Sequence, residues 1–177
     1  ILRGDFDTDL RAWARAARDF GSPLLVEFGP EANGRWYPWS GWWNGRGETA
    51  GYGDPALPDG PERFRDAYCR IIKIMRDDVG ALNITWVFHV NYEDWPAAGW
   101  NRLEQYYPGD SYIDWIGVSV YGAQKPQERQ WPEFSDLMNA IYPRLTALSK
   151  IKPVIVAEFG VTAGSPAGSQ SLWAQRA

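Results

Sequence analysis

Two hydrophobic rhythms alternate along the chain. Between Asp9 and Phe20, the residues Leu10, Trp13, Ala14, Ala17 and Phe20 recur at helical spacing behind Thr8 or Asp7 as a cap, and Gly21 ends the pattern. Pro23-Leu24-Leu25-Val26-Glu27-Phe28 then runs apolar between a proline and Gly29, which predicts a short buried strand. A second helix opens at Pro61 and Glu62, carries Phe64, Tyr68, Ile71, Ile72 and Met75 on one face, and stops at Gly80. Asn83–Val90, Ile113–Val120 and Pro153–Phe159 are the predicted second, third and fourth strands. A short helix is expected around Trp100–Tyr107. A third long helix is expected over Trp131–Lys150, with Phe134, Leu137, Ile141, Leu145 and Leu148 facing inward, and a further one opens at Trp173.

Strands alternating with amphipathic helices predict βαβ units on a parallel sheet, and near-continuous apolar strands fit a sheet covered on both faces. Helix-to-strand connections are short, as at Gly21-Ser22 and Ile151-Lys152, whereas strand-to-helix connections are long and aromatic, residues 29–60 above all. Loops elaborated only at the C-terminal ends of parallel strands predict an α/β fold, a barrel or a doubly wound sheet, with its site on that face. No repeat, low-complexity tract or linker divides the chain, so residues 1–177 are expected to form one domain.

Composition narrows the function. Eighteen Lys and Arg against 22 Asp and Glu give a formal charge of −4, which disfavours a basic, phosphate-tracking surface and hence a nucleic-acid partner. A single cysteine, Cys69, excludes an intrachain disulfide and a cysteine-based zinc site, and His89 is the one imidazole, so no cofactor or metal is expected. No apolar run reaches the roughly 18–20 residues of a membrane span. The opening Ile1-Leu2-Arg3-Gly4-Asp5 shows neither an initiator Met nor a signal-peptide pattern, so the chain is expected to start at a processing site or inside something larger. Phosphate-binding glycine motifs and a G-x-S-x-G elbow are both missing from the sequence, and His89, inside or at the end of a strand, is expected at the core or rim.

Carboxylates remain. Glu31 follows the first strand in Phe28-Gly29-Pro30-Glu31-Ala32-Asn33-Gly34, and Glu158 ends the fourth. Two carboxylates at the same end of a parallel barrel would face one another across its mouth, the arrangement glycoside hydrolysis requires. Around them the chain places an excess of flat rings, with 11 Trp, 9 Tyr and 7 Phe. Trp36, Tyr37, Trp39, Trp42 and Trp43 crowd the first loop, and Trp95, Trp100, Tyr106 and Tyr107 follow the second strand. Indole and phenol faces suit the C–H faces of sugars. About half of these rings are expected to pack the loops themselves.

Glu31-Ala32-Asn33-Gly34-Arg35-Trp36-Tyr37-Pro38-Trp39 resembles the strand-4 motif His-Glu-Met-Asn-Gly-x-Trp of glycoside hydrolase family 26, the β-mannanase family. Residues 108–117 (PGDSYIDWIG) with Val120-Tyr121-Gly122 resemble its strand-6 region, and Val156-Ala157-Glu158-Phe159-Gly160 its strand-7 nucleophile segment. The resemblance implies a (β/α)₈ barrel and a retaining endo-acting hydrolase of a β-linked polysaccharide, with Glu31 as acid/base, Glu158 as nucleophile and Tyr121 orienting it. It implies a carboxyl separation of about 5–5.5 Å. Asn33, Trp36, Trp39, Trp42, Trp43, His89 and Trp95 are the expected substrate-binding residues, with a polysaccharide or oligosaccharide as partner, no membrane, and a secreted or periplasmic location following from the substrate class. Pro30 stands where the family has His, and Glu27 where it commonly has Arg; Glu27 is expected to be the buried partner of a barrel arginine. These departures leave mannan, xylan and mixed-linkage glucan open as substrates, and favour as the alternative a non-catalytic carbohydrate-binding barrel. A full barrel needs roughly 200–250 residues, so four strands with a strand tail at Ile1–Gly4 are expected to be a partial barrel, about strands 3/4 to 7. Its exposed edges would be covered by self-association or by further chain segments.

Overall fold

The computed structural model describes all 177 residues, Ile1–Ala177. Four parallel strands lie in sequence order: β1 (Leu24–Glu27), β2 (Ile84–Asn91), β3 (Trp115–Tyr121) and β4 (Val154–Gly160). Helix α1 (Asp7–Phe20) precedes β1, α2 (Asp59–Ile72) joins β1 to β2, α3 (Phe134–Leu148) joins β3 to β4, and α4 (Gln170–Gln175) follows β4. The strands form a half-barrel whose helices pack on the outer face. Phe64 of α2 sits at the centre of that packing, with ring centroids 5.7 Å from Phe28, 6.5 Å from Phe88 and 5.7 Å from Tyr106. The buried Tyr68 hydroxyl donates to the Val87 carbonyl at 2.8 Å, fastening α2 to β2.

Several local expectations are corrected. Ile1–Gly4 is a turn rather than a strand tail: Gly4 has φ +85° and its N–H donates to the Ile1 carbonyl, a conformation no strand adopts. Neither Thr8 nor Asp7 caps α1; Phe6 holds that position while Asp7 turns to Arg70 at 2.6 Å. Residues Lys73–Asp78 extend α2 as a π-helical turn. Trp100–Tyr107 holds two 3₁₀ turns, Gly99–Asn101 and Leu103–Tyr106, instead of a helix. Trp173 lies inside α4 rather than opening it, buried and donating to the Pro132 carbonyl at 3.0 Å.

Burial on both faces holds only for the central strands. β2 and β3 are buried along nearly their whole length, but on the edge strand β1 Leu25 is 61% exposed, and on the other edge Ala157–Phe159 of β4 are exposed. Alternation explains the pattern. Val26, Phe28, Phe88, Val90 and Val118 point outward into the helix-covered core, and Leu25, Glu27 and His89 point into the open interior of the half-barrel.

Candidate active site

The exit of β1 is a sharp turn through two left-handed residues, Gly29 at φ +61° and Glu31 at φ +56°. A glutamate in that region costs of order 1 kcal/mol and persists where its surroundings over-determine it. Here the Glu31 N–H donates to the His89 carbonyl at 2.9 Å, and the Gly34 N–H donates back to the Glu31 carbonyl at 2.8 Å. The turn lays Glu31 across the end of β2. The residue is only 7% exposed, and its Oε2 accepts the Trp36 indole N–H at 2.7 Å.

Glu158 reaches the same place by a different device. Pairing runs Val118 with Val156 but then Ser119 with Glu158, so Ala157 is an extra residue on β4. In an unbulged strand Glu158 would share the outward face of Val156; the inserted residue flips it to the interior, alongside Ser119. There the Tyr121 hydroxyl donates to Glu158 Oε2 at 2.6 Å. Burial, the bond to Glu158 and the carboxylate charges of Glu158 and Glu31 hold the Tyr121 phenol well above its usual value. Tyr37 is also pushed up, by burial first and then by the charges of Glu31, Glu158 and Glu27.

Glu31 and Glu158 line one open cleft of about 760 Å³, walled by Trp36, Tyr37, Trp95 and Tyr121. Charged side chains from two further loops complete it, with Glu93 after β2 and Lys125 and Glu128 after β3. Beneath it a polar layer crosses three strands. His89 donates or accepts at both ring nitrogens, Nδ1 with Glu27 at 2.6 Å and Nε2 with Ser119 at 2.7 Å. Glu27 therefore pairs with a histidine, not an arginine, and its side chain is 37% exposed because the interior face is open. One atom each of Glu27, His89 and Glu158 lies within 4.8 Å of the others, a spacing a cation would accept. Both His89 nitrogens are nonetheless committed to protein partners, so metal binding there would cost these two hydrogen bonds.

The other expected contacts divide. Trp36 and Trp95 line the cleft with the carboxylates, and Arg35 stacks over Trp95 at 5.5 Å. Trp39 instead donates to the Pro30 carbonyl at 2.8 Å and stacks on Tyr37 at 4.5 Å, while Arg46 lies over Trp42 at 4.1 Å; both rings pack the loop. Trp43 is exposed and donates to the Arg35 carbonyl, outside the carboxylate cleft. Asn33 and His89 are buried, with their polar side-chain atoms bonded within the protein. Asn33 has no exposed surface, its Nδ2 donating to the Asn91 carbonyl at 3.0 Å and to Asp94 Oδ1 at 3.0 Å. Tyr37, one of the loop rings picked out in the sequence, lines the cleft too. Tyr92, Glu93, Lys125 and Glu128 were not singled out, although the first two follow directly on β2 and the last two lie in the loop after β3, at the same strand ends that located Glu31.

Comparison with known proteins places this geometry. The model of glycosyl hydrolase family 26 matches residues 2–164. Endoglucanase H of Acetivibrio thermocellus is 28% identical over 175 residues, which are 98% of this chain and 17% of that protein. The β-1,3-xylanase TXYA of a Vibrio species is 24% identical over 136 residues, 77% of this chain and 24% of its own length. Among solved structures, the Bacillus subtilis mannanase BCman superposes with a TM-score of 0.61 at 22% identity, over 96% of this chain and 42% of that one. A double mutant of the Cellulomonas fimi endo-β-1,4-mannanase gives 0.63 at 20% identity, over 97% and 36%. The chain thus spans less than half the length of these proteins. The shared fold is the (β/α)₈ barrel, of which these four strands are a part.

Proposed function

Because the chain belongs to glycosyl hydrolase family 26, we propose that it carries the catalytic carboxylates of a retaining, endo-acting hydrolase of a β-linked polysaccharide. The observation that carries this reading is the convergence of Glu31 and Glu158, from different strand ends, on one cleft walled by aromatic rings. In the first step the Glu158 carboxylate attacks the anomeric carbon while protonated Glu31 gives its proton to the departing glycosidic oxygen. A glycosyl ester on Glu158 forms, and one chain end is released as an alcohol. In the second step the Glu31 carboxylate takes a proton from water, the water oxygen attacks the same carbon, and Glu158 leaves as a carboxylate. Two inversions retain configuration and consume one water. Tyr121 holds Glu158 in line through its 2.6 Å bond.

The similar proteins are named as an endoglucanase, a β-1,3-xylanase and mannanases, so the substrate is a β-glycan of the glucan, xylan or mannan class. The cleft carries Glu31, Glu93, Glu128 and Glu158 against Lys125, an acidic surplus that favours an uncharged backbone over a uronate polymer. A polymer of that kind is met outside the cytoplasm, which supports a secreted or periplasmic enzyme; no helix of the chain is long and apolar enough to cross a membrane.

The test is a screen of the purified protein against mannan, xylan, mixed-linkage glucan and galactan. NMR then reports the anomer first formed, which is expected to be β. Glu158→Ala should abolish turnover, and Glu31→Ala should spare substrates with good leaving groups. Oligosaccharide binding without release of reducing ends, at high protein loading, would replace this reading with a non-catalytic carbohydrate-binding barrel.

A further inference from the structure

Away from the cleft, one charged cluster is built with more care than a surface ion pair needs. Asp94, whose side chain is 12% exposed, accepts three donors from three separate segments. Its Oδ1 takes Asn33 Nδ2 at 3.0 Å, from the loop after β1, and the Leu103 N–H at 3.0 Å, from the 3₁₀ turns after β2. Its Oδ2 takes Arg144 at 2.8 Å, from α3. Arg144 also grips both oxygens of Glu104, each at 2.8 Å. A carboxylate withdrawn from water is costly unless it is paired and fully hydrogen-bonded, and this one is.

The segment it grips is the one that carries the acid. Asn33 lies two residues after Glu31, its Oδ1 accepts the Asn91 N–H at 2.9 Å, and its backbone carbonyl accepts the Trp95 N–H at 2.9 Å. Asp94 therefore ties the Glu31 turn to the base of Trp95, and Arg144 ties both to a helix outside the cleft. Neither Asp94 nor Arg144 lines the cleft itself. We propose that Asp94 and Arg144 are positioning residues for the proton donor: through Asn33 they fix the Glu31 carboxyl, and the Trp95 ring beside it, against the glycosidic oxygen. A loop turning through a left-handed glutamate needs such an external brace, because a shift of about 1 Å in a catalytic group can cost about a hundredfold. The inference rests on Glu31 being the acid.

A positioning role and a merely structural one separate by leaving group. Leaving groups that depart as stable anions need no proton, so loss of acid placement spares them, whereas general loss of structure slows every substrate. The experiment measures kcat/KM, which reports the first chemical step, on matched 2,4-dinitrophenyl and methyl β-glycosides of cellobiose, mannobiose and xylobiose. Arg144→Met is expected to lower kcat/KM on the methyl glycoside about tenfold while leaving the dinitrophenyl glycoside within twofold. Arg144→Lys, which can hold one carboxylate but not both, is expected to recover part of the loss and serves also if the methionine variant does not fold. Equal losses on both substrates, or no loss in either variant, would overturn the proposal. Glu31→Ala, measured beside them, separates the two readings. If it shows the leaving-group split and the Arg144 variants do not, only the brace is wrong. If it shows no split, or no pair is turned over at all, the assignment of Glu31 falls and the brace falls with it.

Discussion

Replacing Tyr121 by Phe removes one hydroxyl and little else. That hydroxyl donates to Glu158 Oε2 at 2.6 Å, a bond to a charged acceptor worth about 1.5–3 kcal/mol. In the empty cleft the pair is open to water, which would replace part of the bond, so the resting protein should lose little stability. With a glycan in place the water is excluded and the bond approaches its full value. The step that depends on it most is the second, in which Glu158 leaves the sugar and regains its negative charge as Tyr121 donates to it. At about 1.4 kcal/mol per decade, breakdown of the glycosyl-enzyme should slow by roughly 10- to 150-fold. Stopped-flow release of dinitrophenolate from an activated glycoside should then show a burst equal to the enzyme concentration, followed by a slow steady state with lowered KM. Because the phenol is held well above its usual value by burial and by Glu158, the wild-type donor stays protonated through the alkaline range. A kcat within twofold of wild type, or a raised KM with kcat unchanged, would refute this account of Tyr121.

Other perturbations test the frame. A Cβ on Gly41 would lie 2.1 Å from the hydroxyl of Tyr106, a fully buried ring bonded to Asn101, so Gly41→Ala should destabilise by about 1–3 kcal/mol in urea unfolding. Leu145→Ala empties a fully buried position where α3 meets the sheet and should cost about 2–5 kcal/mol with the denaturant slope unchanged. The Glu104 carboxyl is lowered to about 2, chiefly by its bonds to Arg144. Its contribution is therefore present above about pH 4.5 and lost as pH falls toward 2. Discounted for its exposure, Glu104→Gln should cost about 1 kcal/mol at pH 7 and nothing near pH 2; a cost that persists in acid would show that the pair's charge is not the source.

The path from sequence to site was uneven for identifiable reasons. Element type and order were legible because the hydrophobic pattern is clear in each segment: a 3.6-residue stripe from Leu10 to Ala17, and short β-rich, mostly apolar runs from Ile84 to Val90 and from Ile116 to Val120. Positions near turns were less so. Trp100–Tyr107 reads as helix from its rings, but Pro96, Gly99 and Pro108 hem it into 3₁₀ turns whose buried groups serve the neighbouring loop. Among the aromatic residues, composition announced a ring-rich mouth without saying which rings face it. Trp36 and Trp39 are three residues apart, yet one donates to the Glu31 carboxylate and the other to the backbone carbonyl of Pro30.

The sequence alone determined the parallel βα order, the loop-bearing end of the sheet and the two glutamates that stand there, because these follow from local periodicity and from the cost of closing an apolar strand with a charge. Tertiary structure decided what those glutamates face. The extra residue Ala157 turns Glu158 inward beside Ser119, an event set by pairing with β3 and invisible in the spacing of Val156 and Glu158. It also decided that Glu27 meets His89, that the buried Asn33 ties the loop of Glu31 to Asp94, and that Arg144 reaches from an outer helix to that same Asp94. Each is a contact between segments dozens of residues apart, and one-residue shifts of register or rotations of a helix would redirect every one of them.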